Sequence, residues 1–172
     1  MSINGSRLYI LSGLPGSGKT TLSKALASYL NAVYLRIDTI EQGLRELCKV
    51  KVEGEGYRLS YRIAADNLGL GNSVVADSCN PISLTRLEWQ EVATSRNVSF
   101  VNIEVICSDV TEHQKRIESR ENDMHGLVLP RWAEVEARQY DPWACKRIVI
   151  DTASKTVSES FNDLLGKVDV AT

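Results

Sequence analysis

The sequence is short of the residues that mark metal-binding, secreted and membrane-spanning proteins. Its 172 residues include two histidines and four cysteines, and the cysteines stand far apart with no CxxC pair. This spacing argues against a zinc site and predicts reduced, mostly buried thiols. No apolar run approaches the roughly eighteen residues of a membrane-spanning helix, and the N-terminus has no apolar core of a secretory signal. We therefore expect a cytoplasmic protein with no membrane partner.

Charge of one sign is not in excess either. Twenty Lys and Arg stand against 22 Asp and Glu, a formal net charge of −2, which does not by itself attract nucleic acid. Hydrophobic residues at 43% and charged residues at 24% exclude a disordered, collagen-like or coiled-coil protein. The length predicts a single domain over 1–172.

Short apolar runs alternate with segments of helical periodicity along the chain. The runs predict strands at Leu8–Leu11, Val33–Ile37, Ser73–Ala76, Phe100–Cys107 and Arg147–Asp151. Five strands separated by amphipathic helices predict a parallel sheet in a three-layer α/β domain, which binds ligands beyond the carboxyl ends of its strands. The residues expected at that edge are Gly13–Thr20, Asp38 and Asp77–Asn80.

Local patterns add predictions about individual helices. Asp38 with Glu41, and Asp109 with Glu112, have the spacing of a capping box at a helix start. After Pro81, the helix is expected to turn four apolar side chains inward, namely Leu84, Leu87, Val92 and Ala93. The helix that opens at Asp109 is expected to reach about Arg120, and a short helix from Pro130 to reach about Tyr140.

The segment GLPGSGKT, from Gly13 to Thr20, matches the phosphate-loop pattern GxxxxGKS/T. Its glycines let successive backbone N–H groups converge on an anion at the start of a helix. In this pattern the lysine reaches the β- and γ-phosphates and the final hydroxyl can ligate Mg²⁺. The predicted cofactors are ATP and Mg²⁺, and the predicted cofactor-binding residues are Gly13, Pro15, Gly16, Ser17, Gly18, Lys19, Thr20 and Thr21.

Two classes of phosphate-loop protein, GTPases and AAA+ motors, are disfavoured by what the sequence lacks. The guanine-reading NKxD sequence of GTPases is missing, and the DxxG spacing at Asp66–Gly69 falls inside a helical pattern instead of after a strand. The chain is short for a AAA+ motor with a helical lid domain. A small phosphotransferase fits better.

Five blocks of the sequence resemble a known family. They are GLPGSGKTTL, RIDTIEQ, VVADSCNP, CSDVTEHQKRIESR and LPRWAEVEARQYDPW. Together they resemble the AAA-type small P-loop "predicted kinases", which are related to the kinase domain of polynucleotide kinases, to chloramphenicol phosphotransferase and to zeta toxins. The resemblance implies a kinase-type P-loop sandwich with strand order 2-3-1-4-5, a short lid at about 120–133, and phosphoryl transfer from Mg-ATP to a small-molecule hydroxyl.

The resemblance also implies roles for two aspartates at strand ends. Asp38 takes the place of a general base, which accepts the proton of an attacking hydroxyl; the alternative is a helix cap. Related polynucleotide kinases carry an arginine where this chain has Glu41, which disfavours a polynucleotide acceptor. Asp77 takes the place of a Walker B acid and would hold Mg²⁺ together with Thr20; its alternative is also a cap.

Arginines complete the predicted catalytic set of Lys19, Asp38, Arg120 and Arg116. The resemblance implies a lid arginine on the transferring phosphoryl group, with Arg120 preferred and Arg116 second. The alternative for Arg116 is an ion pair with Glu112.

Other candidates are open to two interpretations. Arg58 and Arg62 share a helix face and could bind an anionic acceptor, or Arg62 could pair with Asp66. Four aromatic residues are assigned no chemistry: His113 on a helix surface, His125 exposed in a loop, and Trp132 and Trp143 as packing anchors. Two alternative functions stay open, a polynucleotide 5′-hydroxyl kinase and a non-catalytic ATP-binding sensor.

Overall fold

Five strands and seven helices alternate in residues 5–170, the part of the chain that the computed structural model describes. The strands are β1 (Arg7–Ser12), β2 (Val33–Arg36), β3 (Val74–Asp77), β4 (Ser99–Ile106) and β5 (Ile148–Asp151). The helices are α1 (Lys19–Leu30), α2 (Ile37–Leu47), α3 (Glu55–Gly69), α4 (Ser83–Thr94), α5 (Val110–Glu118), α6 (Trp132–Glu136) and α7 (Val157–Val170).

The strands form one parallel sheet in the order β2-β3-β1-β4-β5, which confirms the predicted fold class and strand order. Asp77 at the end of β3 lies in register with Leu11 of β1 and with Arg36 of β2. The chain therefore leaves β1 and β2 on either side of Asp77. This register places the phosphate loop and the start of α2 at the same edge of the sheet.

Two hydrophobic clusters cover the two faces of the sheet. The side chains of β1 alternate between them: Tyr9 and Leu11 join the cluster that includes α1 and α7. Leu8 and Ile10 join the cluster that includes α3 and α4, where the indole of Trp89 is fully buried. Burial of each large apolar side chain contributes about 1.5–3 kcal/mol, so both helix layers hold the sheet edge in place.

The expected cap at Asp38 is wrong. β2 passes into α2 without a connecting loop, so the N-cap is Arg36 and Asp38 lies within the first turn. The carboxylate of Asp38 therefore does not cap the helix. The cap expected at Asp109 is confirmed, because its carboxylate accepts a 2.9 Å hydrogen bond from the backbone N–H of Glu112.

The expected inner face of α4 is wrong in part. Ala93 is buried, but Leu84 and Leu87 are more than half exposed. The buried face contains Arg86 instead, whose guanidinium donates hydrogen bonds to the carbonyls of Asn80 and of the 141–142 turn. Apolar periodicity counts an arginine as polar and so does not predict Arg86 on the buried face.

Some boundaries and exposures also differ from expectation. α5 ends at Glu118 and α6 at Glu136, so both are shorter than predicted. Of the four cysteines, Cys107 alone is buried and Cys48 is exposed. Across residues 5–170, no helix has the length and apolar character needed to cross a membrane.

Candidate active site

The phosphate loop joins β1 to α1 in a conformation that depends on glycine. Gly16 and Gly18 have φ angles of +80° and +92°, a region that glycine enters without strain. A Cβ built on Gly16 would lie 2.7 Å from Cδ1 of Ile117 in α5. The loop is thus packed closely against α5, which fixes the path of its backbone.

Lys19 and Asp77 form a buried ion pair beneath this loop. The ammonium Nζ lies 2.5 Å from Oδ1 of Asp77, and the hydroxyl of Tyr34 donates a 2.7 Å hydrogen bond to Oδ2. Burial raises the pKa of Asp77, but the charge of Lys19 and the hydrogen bonds from Lys19 and Tyr34 outweigh it and hold that pKa below its ordinary value. The structure therefore brings together two predicted site residues and adds Tyr34, for which no sequence pattern predicted a role.

The oxygens around Asp77 fit a magnesium ion. The Thr20 hydroxyl is close enough to contribute a hydrogen bond that helps to lower the pKa of Asp77. Mg²⁺ takes oxygen ligands and is commonly held by one or two protein groups together with substrate phosphates, so Thr20 and Asp77 match its chemistry. Within residues 5–170, no group of three His, Cys, Asp or Glu side chains could hold a metal ion.

A cleft of about 910 Å³ extends from the phosphate loop across α2. One face of α2 lines it with Asp38, Glu41, Gln42 and Arg45. The side chain of Asp38 is 50% exposed, and Glu41 pairs with Arg45 at 3.0 Å. Burial raises the pKa of Glu41 in spite of the neighbouring guanidinium of Arg45. Lys19 and Asp38 therefore line a single cleft.

The two predicted lid arginines both reach this cleft but differ in their contacts. Arg116 donates hydrogen bonds to Oγ1 and to the carbonyl of Thr152 at 2.8 and 2.9 Å. It also forms the expected ion pair with Glu112, at 2.6 Å. Arg120 lies just beyond α5 and makes no hydrogen bond or ion pair within residues 5–170. Its guanidinium is available to a bound anion.

Thr152 links Arg116 to the phosphate loop. The hydroxyl of Thr152 is 2.8 Å from the carbonyl oxygen of Ser17. A second, smaller cavity of about 280 Å³ lies beside this contact. Its lining includes Gly18, Thr21 and Lys155.

The sequence predicted His113 on the surface of its helix, and this prediction is wrong. The imidazole is buried, with Nε2 2.7 Å from the carbonyl oxygen of Pro15 in the phosphate loop. A carbonyl oxygen only accepts, so Nε2 carries the proton in this contact. Trp132 packs against the imidazole in a T-shaped arrangement with 5.2 Å between ring centroids, which agrees with its expected packing role. His125 is fully exposed, as expected.

Sequence reasoning missed an ion pair between β2 and the segment that joins α5 to α6 (residues 119–131, here called the α5–α6 segment). The buried guanidinium of Arg36 donates two hydrogen bonds to Asp123, at 2.7 and 3.1 Å. These bonds, opposed by partial burial and aided by the charges of Arg36 and Lys24, lower the pKa of Asp123 to about 2. The partners are 87 residues apart, and no local pattern connects them.

The arginines proposed for an anionic acceptor are elsewhere. Arg58 and Arg62 are exposed on α3 and are not among the residues that line the cleft. Its lining contains Arg45 and Arg138 instead. Trp143 packs against two guanidinium groups, with Cζ of Arg86 4.2 Å and Cζ of Arg147 5.3 Å from the centroid of its ring, which agrees with a packing role.

A parallel sheet in the order β2-β3-β1-β4-β5, helices on both faces and a lysine-bearing phosphate loop after β1 define a kinase-type P-loop fold. The chain belongs to a family of AAA domains, whose model matches residues 8–141. This confirms the family resemblance. A comparison with curated protein sequences gives no match.

Solved structures of small-molecule kinases share this fold. A gluconokinase from Sinorhizobium meliloti has 14% sequence identity and a TM-score of 0.69, with coverage of 99% of this chain and 95% of its own. A sugar kinase from Janibacter sp. has 16% identity and a TM-score of 0.70, with coverage of 97% and 96%. The APS kinase of Mycobacterium tuberculosis in complex with AMPPNP and APS has 15% identity and a TM-score of 0.71, with coverage of 95% and 98%.

Proposed function

We propose that the protein is a phosphotransferase that moves the γ-phosphoryl group of Mg-ATP to a hydroxyl group of a small molecule. The observation that carries the proposal is that Lys19 of the phosphate loop and the half-exposed carboxylate of Asp38 line one continuous cleft. A phosphate group and an acceptor hydroxyl can therefore meet there, as in-line transfer requires.

The cationic groups of the site are assigned to the phosphates, and its carboxylates to the acceptor proton and the metal ion. Lys19 and the loop N–H groups bind the phosphates, and Arg120 stabilises the charge that develops on the transferring group. Asp38 accepts the proton of the acceptor hydroxyl as the new O–P bond forms and the bond to the leaving ADP oxygen breaks. Thr20 and Asp77 would hold Mg²⁺, which neutralises charge on the phosphates when bound.

The smaller cavity suits the nucleoside end of ATP. It adjoins the phosphate loop at Gly18 and is bordered by Thr152 and Lys155, so it can receive the base while the phosphates lie in the loop. Residues of the α5–α6 segment also line the larger cleft. We assign this segment the role of a lid that excludes water from the phosphoryl group.

The charge pattern of the cleft favours a small molecule over a polynucleotide. Asp38, Glu41 and Asp123 line the cleft alongside its arginines, so no uniformly basic groove is available for a phosphate backbone. Two structural neighbours, a gluconokinase and an APS kinase, also support a small-molecule acceptor, because both are kinases of small molecules.

The test is ATP consumption in Mg²⁺ against a panel of acceptors. The panel contains sugars and sugar acids, nucleosides, hydroxylated antibiotics and 5′-hydroxyl oligonucleotides. Lys19→Ala serves as the inactive enzyme, and Lys51→Ala, on an exposed lysine paired with Glu53, serves as its matched control. Stimulation of the wild type and of Lys51→Ala by one class of small molecule supports the proposal. ATP binding with no stimulated turnover across the panel contradicts it and favours a nucleotide sensor, and stimulation by oligonucleotides alone favours a polynucleotide kinase.

A further inference from the structure

Arg36 stands between the proposed base and the α5–α6 segment. Its side chain is 6% exposed, and its two terminal nitrogens are both bonded to Asp123. The remaining nitrogen, Nε, is buried without a hydrogen-bond partner in the described residues. That nitrogen lies 3.8 Å from Oδ2 of Asp38, beyond hydrogen-bond distance.

The guanidinium therefore has two carboxylates within reach and is committed to one. A buried guanidinium requires a charged or hydrogen-bonded partner, because removal of that partner leaves a desolvated charge. If Asp123 withdraws, Asp38 is the remaining carboxylate that the described residues place within ion-pair distance of Arg36. The planar fork of arginine then favours a tight pair with Asp38, and such a pair would occupy the oxygens that the acceptor hydroxyl needs.

The position of Asp123 depends on docking of the α5–α6 segment against α1 and α2. Lys24 of α1 lies 3.5 Å from Asp123, and the Gln42 amide donates to the carbonyl of His125 at 3.4 Å. Gly126, with φ of +70°, packs so closely on α2 that a Cβ there would lie 2.5 Å from Oε1 of Glu46. The Arg36–Asp123 pair is thus one of the contacts by which this segment docks on the rest of the domain.

We propose that Asp38 and Asp123 compete for Arg36, so that closure of the α5–α6 segment releases Asp38 to act as the base. With the segment open, Arg36 pairs with Asp38 and blocks it. With the segment closed, Asp123 takes Arg36 and leaves Asp38 facing the acceptor. Arg36 and Asp123 are positioning residues in this scheme, which rests on the proposed function because it needs Asp38 to be the base.

Asp123→Asn tests the competition directly, because residue 123 is partly exposed and the substitution preserves shape. We expect kcat for phosphoryl transfer to fall by about tenfold or more, with KM for ATP changed by less than about twofold. Asp123→Glu should recover part of the loss. Asp66→Asn makes the same change at an exposed carboxylate of α3 that lies outside the lining of the cleft and has no side-chain hydrogen bond or ion pair within residues 5–170, and it should leave kcat unchanged.

A double-mutant cycle separates positioning from general damage. In an Asp38→Asn background the further change Asp123→Asn should lower kcat by less than about twofold, since the base on which Arg36 acts is already gone. An undiminished kcat in Asp123→Asn, or an equal fall in both backgrounds, overturns the proposal.

Hydrogen exchange tests, without any acceptor, whether the Arg36–Asp123 pair holds the α5–α6 segment closed. In the nucleotide-free protein, amides in 121–129 should exchange at least about tenfold faster in Asp123→Asn than in the wild type or in Asp66→Asn. Unchanged exchange would show that this pair does not hold the segment closed, and it overturns the proposal even if turnover falls. If no acceptor stimulates the wild type, the proposed function fails by that result alone, and the loss of exchange protection still decides whether Arg36 and Asp123 close the segment.

Discussion

The ammonium of Lys19 lies 2.5 Å from Oδ1 of Asp77, and Tyr34 donates to the other oxygen of the same carboxylate. This pair joins the phosphate loop to the end of β3 at a point where both side chains are almost fully buried. Each partner therefore supports the other's charge. Phosphates bound in the loop would compete with Asp77 for the lysine, which couples the stability of the pair to nucleotide binding.

Loss of Lys19 should change how stability depends on pH. The pKa of Asp77 is below its ordinary value in the folded protein, so the pair stabilises the fold above about pH 4 and loses this contribution as pH falls through the folded pKa. We expect Lys19→Met to lower the free energy of unfolding by about 3 kcal/mol at pH 7 and by progressively less as the pH falls from 5 to 3. Urea unfolding across this range measures the difference, and a difference that stays constant would refute the assignment.

Two glycines should respond oppositely to alanine. A Cβ on Gly13 would collide with the backbone carbonyl of Val105 in β4, at a φ of +148°, so Gly13→Ala should lower the free energy of unfolding by about 2 kcal/mol or more. Gly43, within α2, has open space around it, and Gly43→Ala should raise the same quantity by about 0.5–1 kcal/mol. Thermal unfolding of the two variants checks both signs.

His113 should matter for nucleotide binding because it holds the phosphate loop by its Pro15 carbonyl. We expect His113→Ala to weaken ATP binding by about fivefold to tenfold, since loss of one buried hydrogen bond corresponds to about 1 kcal/mol. His125→Ala is the matched control, as that side chain is fully exposed. Calorimetric titration with a non-hydrolysable ATP analogue compares the two, and equal affinities would show that the loop needs no support from α5.

The two cleft arginines should separate catalysis from stability. Arg120 has no protein partner within residues 5–170, so Arg120→Ala should lower turnover by about a hundredfold without a change in Tm. Arg116 bonds to Thr152 and Glu112, so Arg116→Ala should lower the free energy of unfolding by about 1–2 kcal/mol. Steady-state turnover and thermal unfolding distinguish them. A lower Tm and normal turnover in Arg120→Ala would reverse the assignment.

The backbone of the site was predictable because it depends on local sequence. The phosphate loop needs glycines and a lysine at fixed spacing, and Asp77 follows an apolar run that only a buried strand explains. A parallel sheet then places both at its carboxyl edge. The order of the strands came from family resemblance, since periodicity does not say which strands are neighbours.

Contacts between distant segments were not predictable. Arg36 and Asp123 pair across 87 residues, and Asp123 lies in a segment without periodicity. His113 has polar neighbours in sequence, so its burial against Pro15 depends on the angle at which α5 packs on the loop. The burial of Arg86 was not predictable for a related reason. Its guanidinium contacts backbone carbonyls and aromatic rings, and no residue pattern along α4 indicates these contacts.

The most direct test of the account follows the terminal phosphate of ATP labelled at its γ position. With Mg²⁺ and a stimulating acceptor, we predict that the label appears on the acceptor in the wild type, is reduced about a hundredfold or more by Asp38→Asn, and is absent in Lys19→Ala. Label found only as inorganic phosphate, or equal transfer by the wild type and Asp38→Asn, would contradict the assignment of Asp38 as the base of a phosphotransferase.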